Sequence, residues 1–207
     1  MNIIYLAVIV FAFLFWLIFV ELLKPKYLLL LLLFMATIAL TNTYFFSPYK
    51  IPAKSMVPTL LSGDHILVNK FFYNIHDPVP GDVIIFELPR NPRQAFIKRI
   101  IGQPGDKIEI RSKALYINDK RILEQYAINI DPQTIPQKAQ PRDFFGPVTV
   151  PKDHLFMLGD NRDYSSDSRF WGFLPKEGVK GKVSNIYWSW DNENKKVRWK
   201  RIGKSVK

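Results

Sequence analysis

Two uncharged apolar runs at the N-terminus constrain this chain before anything else does. Residues 3–20 carry no charge, and neither do residues 27–46, where Leu28 to Leu33 form an unbroken leucine block. A helix of about 20 such residues crosses a hydrocarbon core of ~30 Å, so the pattern predicts two transmembrane helices, over about 3–23 and 27–46. A cleaved signal peptide would need a basic leading region, a shorter apolar stretch and a small-x-small site, and the sequence has none of them. Lys24-Pro25-Lys26 joins the two runs. Basic residues favour cytoplasmic loops, which places this turn inside and everything after Phe46 outside. From Ser47 to Ser55 the chain reaches at most about 29 Å, so Ser55 is tethered near the outer headgroups.

Residues 47–207 suffice for one domain with its own core. They read as short strands rich in β-branched and aromatic residues, cut by Gly, Pro and Asp. The expected strands are 65–70, 83–88, 96–101, 107–111, 114–117, 120–122, 154–158, 183–190 and 197–202. No alternating helical pattern supports a parallel sheet, so the expectation is a mainly β, antiparallel domain anchored by the two helices. Residues 124–147, with four prolines among polar residues, read as a peripheral excursion.

Composition removes several chemistries. There is no cysteine, hence no disulfide, thiolate metal site or Cys nucleophile. His65, His76 and His154 are not spaced as a metal pair, and no metal or cofactor is expected. The net charge is +11, with basic residues scattered apart from a C-terminal cluster. Without an aromatic-basic nucleic-acid motif, anionic lipid is the expected partner, at about 1 kcal/mol per well-placed Lys or Arg, and nucleic acid is not. Trp188, Trp190 and Phe71-Phe72-Tyr73 suit either an interfacial aromatic belt or ordinary packing.

Ser55 lies in the stretch Ile51 to Leu60 as a loop filler or a nucleophile. A triad with His154 and an aspartate is possible on counting alone. Lys98 offers a different base. It alternates with Phe96 and Ile100 in a predicted strand, as a snorkelling surface residue or a buried amine. A free lysine of pKa 10.4 is neutral about once in 2,500 molecules at pH 7, so majority neutrality needs roughly 4–5 kcal/mol against the charged form. A buried strand position can supply that, and a neutral amine can take a proton from a serine. The Gly159 to Gly172 stretch is dense in Asp, Asn, Ser and Arg. It lacks the spacing of a calcium loop and suits a salt-bridged support packed against a catalytic group.

Taken in order, Ser55-Met56-x-Pro58-Thr59, Gly81-Asp82 to Phe86, Phe96 to Asp106, and Gly159 to Arg169 resemble the motifs of the bacterial type I signal peptidases. The resemblance implies Ser55 as nucleophile and Lys98 as general base. It implies that Ser165 orients the lysine amine, that Arg99 and Asp160 form a supporting ion pair, and that Asp167 and Arg169 brace the same loop. It further implies the Ser55 N–H as one oxyanion donor. A second donor, a serine in two-span members, falls at Ala53, which has no side-chain donor; a water or another group is expected to substitute. The subsites for small side chains would be lined by Ile51, Pro52, Met56, Leu60, Ile66, Ile85, Phe96 and Ile97, with substrate added alongside strand edges.

These readings combine into one expectation. The chain is a multi-pass protein of a bacterial cytoplasmic membrane with its catalytic domain on the outer face. It removes signal peptides from exported preproteins with a Ser-Lys dyad, near the secretion machinery. A processing peptidase for one substrate, or a membrane-anchored binding module without catalysis, are the rivals.

Overall fold

The computed structural model describes residue 16, residues 24–88 and residues 91–206, apart from the side chains of 26, 39–44 and 91–93. The span expected over 3–23 lies outside the described residues except Trp16. Two units result, Met1–Tyr44 and Phe45–Lys207.

The first unit contains helix α1, Pro25–Phe45. Leucine favours helix, and Pro25 occupies the first position, where its missing N–H costs nothing. Leu29 to Met35 are all more than half exposed, so no polar face is set against an apolar one. Among the described residues no helix is long and apolar enough to cross a membrane. In α1 the side chains are described without a break only from Tyr27 to Ile38, short of the roughly 20 residues a bilayer needs.

The second unit is mainly antiparallel β, as expected. Its strands are β1 Phe46–Lys50, β2 Asp64–Asn69, β3 Val83–Leu88, β4 Asn91–Gly102, β5 Lys107–Arg111, β6 Ala114–Ile117, β7 Lys120–Arg121, β8 Phe145–Thr149, β9 His154–Leu158, β10 Leu174–Pro175, β11 Val179–Asp191 and β12 Lys196–Val197. Short helices α2, Phe72–Ile75, and α3, Ser168–Trp171, lie between them. One sheet runs β1-β2-β11-β3-β4-β9-β10 with β12 on β11; the other runs β7-β6-β5-β8.

Strand β3 shows why the apolar pattern there is unbroken rather than alternating. Val83 and Ile85 pack into one core with Met56, Leu60, Ile66 and Val68. Ile84 and Phe86 pack on the opposite face with Ile100, Leu155 and Met157. A strand covered on both sides needs apolar residues at every position. A third core joins the sheets through Ile101, Ile108, Phe156 and Leu158. Each fully buried side chain of this kind contributes about 1.5–3 kcal/mol of transfer free energy.

One expectation changes. The strand predicted over 197–202 ends at Val197, and residues 199–201 form a 3-10 turn. The turn carries Arg201 inward to Asp64 and to the Thr59 carbonyl, which a continuing strand would prevent. The segment 124–147 stays on the surface, with no residue of 124–141 buried, but it is anchored to the domain. It ends in β8, paired with β5, and places Glu124 on Arg162 and Ile128 in a bridge with Asn161.

Candidate active site

Strand β4 organises the site because its two faces are used differently. It pairs with β3 along its length, Ile84 opposite Lys98, but with β9 only from Arg99 onward. The alternation of a strand then sends Lys98 and Arg99 to opposite sides. Both are buried, at 4% and 1% exposure.

On the first side, Lys98 Nζ lies 2.7 Å from Ser55 Oγ. Ser55 sits in the turn that follows β1, over the buried side chains of Met56 and Leu60. Burial pushes the Lys98 amine down to about 8; Asp167 pulls it back up, Arg169 pushes it further down and Asp160 raises it. At pH 7 roughly one amine in ten is then neutral, some two hundred times more than for a free lysine. The histidines are engaged elsewhere: His65 against Tyr187, His76 stacked on Phe72, and His154 on the Lys152 carbonyl.

On the second side, Arg99 grips Asp160 through two parallel bonds of 2.8 Å, Nε to Oδ1 and Nη2 to Oδ2. Its Nη1 donates to the Gly81 carbonyl, and its guanidinium stacks 3.9 Å from the Tyr126 ring. Thr59 donates its hydroxyl to the same Asp160, tying the turn that carries Ser55 to the support. Asp167 is held bidentately by Arg169, and its Oδ2 also accepts from the Gly159 N–H. The Arg99–Asp160 ion pair is thus present, and Asp167 and Arg169, expected to brace the loop, pair with each other. Such fork-to-fork pairs fix geometry as well as charge.

The expected bond from Ser165 to the lysine amine is not made. The Ser165 hydroxyl is buried with no hydrogen-bond partner. It faces Gly159 so closely that a Cβ there would stand 2.3 Å from Ser165 Oγ and 2.5 Å from the Ser55 carbonyl oxygen. Gly159 is thus required by close approach, a role its motif position alone did not reveal.

Above the dyad lies a groove of about 400 Å³. Ile51, Pro52, Met56, Ile85, Phe96 and Ile97 line it, as expected, together with Ala53. Leu60 and Ile66 do not. Both are fully buried, in the core that also holds Met56 and Ile85. Tyr49, Tyr164 and Ser166 line it without having been predicted. A larger cavity of about 590 Å³ opens on the Arg99 side, but its Asp82 and Lys182 are already paired at 2.6 Å and it holds no nucleophile beside a base.

A serine, a buried lysine and two carboxylate-arginine supports thus converge on one groove. The profile of the signal peptidase, peptidase S26, family matches residues 24–188. The chain belongs to this family of serine proteases. A probable signal peptidase I-2 of Synechocystis sp. is 38% identical over 67% of the chain, a match that spans 61% of that relative's own length. Signal peptidase I of Aquifex aeolicus is 32% identical over 77% of the chain and 82% of its own. A solved signal peptidase I from Enterococcus faecalis V583 aligns with 53% of the chain and 99% of its own at 34% identity, with a TM-score of 0.43.

Within a peptidase of this family the groove has a simple physical reading. β1 is the outermost strand of its sheet, and residues 95–98 of β4 pair with β3 but, among the described residues, not with β9. Two open edges flank the cleft, each offering main-chain donors and acceptors to an extended segment. Asn161 lies within the Gly159 to Arg169 motif and was given no role there. It donates its main-chain N–H to the Ser55 carbonyl and Nδ2 to the Lys54 carbonyl, both at 3.1 Å.

Proposed function

We propose that the chain is a membrane-bound serine endopeptidase that removes N-terminal signal peptides from exported preproteins with a Ser55-Lys98 dyad. The observation that carries this reading is the 2.7 Å contact between Lys98 Nζ and Ser55 Oγ at the foot of the groove. A neutral Lys98 accepts the hydroxyl proton as Ser55 Oγ bonds to the scissile carbonyl carbon. The resulting tetrahedral oxyanion is met by the Ser55 N–H. The ammonium returns its proton to the leaving amine nitrogen as the peptide bond breaks, leaving the acyl-serine and the mature amino terminus. A water, deprotonated by the same amine, attacks the ester and frees Ser55 and the signal peptide's carboxylate.

Ile51 and Ile97 give the groove apolar walls, in keeping with alanine at the first and third positions before the cut. The apolar, uncharged course of residues 3–20 and 27–46 supports anchoring by two spans, with the domain on the outer face of a bacterial cytoplasmic membrane, in contact with lipid and near the secretion machinery. Confining enzyme and cleavage site to one layer raises their effective concentration.

The test is cleavage of an Ala-x-Ala preprotein by the purified full chain, with Ser55→Ala and Lys98→Ala beside it. The parent is expected to cut at a single site and both variants to leave the preprotein whole. Equal cutting by all three would refute the dyad.

A further inference from the structure

Position 53 is alanine, so the groove receives no hydroxyl donor from that side chain, and the Ser55 N–H takes on added weight. Its direction is set by the peptide unit that contains it. The Lys54-Ser55 peptide is trans, so the Lys54 C=O and the Ser55 N–H point to opposite sides of one rigid plane. Whatever holds the carbonyl aims the N–H the other way.

What holds it is Asn161, which is 2% exposed. Its Nδ2 donates to the Lys54 carbonyl at 3.1 Å, and its main-chain N–H donates to the Ser55 carbonyl at 3.1 Å. Val57 N–H adds a longer bond, 3.3 Å, to the Lys54 carbonyl. Two successive peptide planes are thereby pinned by one residue. Asn161 is itself fixed on both sides: Asp160 before it is locked by Arg99, and Arg162 after it donates its N–H to the Ile128 carbonyl. The Asn161 Oδ1 is buried and has no partner. Turning the amide over would set that oxygen against the Lys54 carbonyl, so the bond from Nδ2 alone decides the orientation.

We infer that Asn161 is a positioning residue for the oxyanion hole, holding the Lys54 carbonyl back so that the Ser55 N–H faces the developing negative charge. The inference rests on the dyad chemistry proposed above. It predicts a loss confined to the transition state, because the substrate's ground-state carbonyl asks little of that donor.

Steady-state cleavage of an Ala-x-Ala peptide by the full chain tests this, comparing the parent with Asn161→Ala and Asn161→Asp, each with and without Ala53→Ser. Removing an oxyanion donor outright costs about 10²–10³ in kcat, so misaiming one should cost about 10–100-fold, with KM within about twofold. The acid limb of the pH profile should stay where the parent has it, since Lys98 is untouched. Ala53→Ser, by adding a donor, should restore about tenfold or more in the Asn161→Ala background and change the parent less. Asn161→Asp keeps the shape, sets an acceptor against the Lys54 carbonyl, and should lose at least as much kcat as Asn161→Ala. It decides the matter if a lowered Tm shows Asn161→Ala to be misfolded. An unchanged kcat in both variants overturns the inference. So does a loss carried in KM, a displaced pH limb, or no rescue by Ala53→Ser. A parent that leaves the peptide whole refutes the proposed activity and this inference with it, whereas a parent that cuts while the Asn161 variants cut equally well refutes only the inference.

Discussion

Lys98 and Arg99 are adjacent, cationic and buried, yet the fold treats them in opposite ways. Arg99 has a carboxylate in bidentate contact, a carbonyl and an aromatic face. Lys98 has a neutral hydroxyl, and the charges nearest to it offset one another in sign. A cation satisfied on every donor keeps its proton and becomes scaffold. A cation denied a counter-ion is the one that can give its proton up. Under the proposed mechanism the two faces of one strand separate holding from reacting, and the separation can be attacked from either side.

The largest expected effect comes from removing the reacting cation. Lys98→Met should lower kcat/KM by about 10⁴-fold or more while leaving Tm equal to the parent's or higher, since an uncompensated buried charge is exchanged for an apolar chain of similar length. Peptide cleavage and thermal unfolding of one preparation check both halves; a folded, active Lys98→Met chain would erase the contrast. The scaffold should respond the other way. Asp160→Ala leaves Arg99 buried without its partner and should cost about 3–5 kcal/mol of stability, read from chemical denaturation. Replacing Arg99 and Asp160 together with Met and Leu should cost much less.

Between the two faces stands Gly159. Gly159→Ala would drive a methyl group into Ser165 Oγ and the Ser55 carbonyl, displacing the nucleophile. A shift of about 1 Å costs about 100-fold in rate, measurable as kcat with little change in far-UV circular dichroism. The smallest effect per step is the pH response. Only the neutral amine is a base, and the Lys98 value is about 8. Below it each unit of acidification removes about nine-tenths of that form, so kcat/KM should rise about tenfold per unit up to about pH 8 and level off above. A profile that is flat between pH 6 and 8 would mean that Lys98 is not the base.

Much of this contrast was legible before the fold was known. The strand alternation put Lys98 and Arg99 on different faces, and the family resemblance implied the Arg99–Asp160 pair and the bracing of the loop by Asp167 and Arg169. What escaped was whatever depends on depth or on main-chain contacts. Leu60 and Ile66 have the same chemistry as Ile51 and Ile97, and only packing decides which pair faces the groove and which the core. Asn161 acts through peptide carbonyls, which leave no mark in side-chain spacing. The proline-bearing segment looked detached because its anchors, Glu124, Tyr126 and Ile128, meet partners some tens of residues away. Trp199 to Arg201 continued a β pattern, and the inward ion pair to Asp64 overrode it.

The open edges of β1 and β4 carry one more consequence. A cleft that holds an extended chain by its amides reads what all chains have in common, and its shallow walls act only by exclusion. Recognition of that kind is tolerant by construction: thousands of unrelated sequences can drift freely so long as two of their side chains stay small. For a would-be inhibitor the lesson runs the same way. A rigid strand mimic bearing an electrophile that reports to Ser55 would exploit contacts that no substitution of a side chain can remove, and resistance would have to arise by bending the strands themselves.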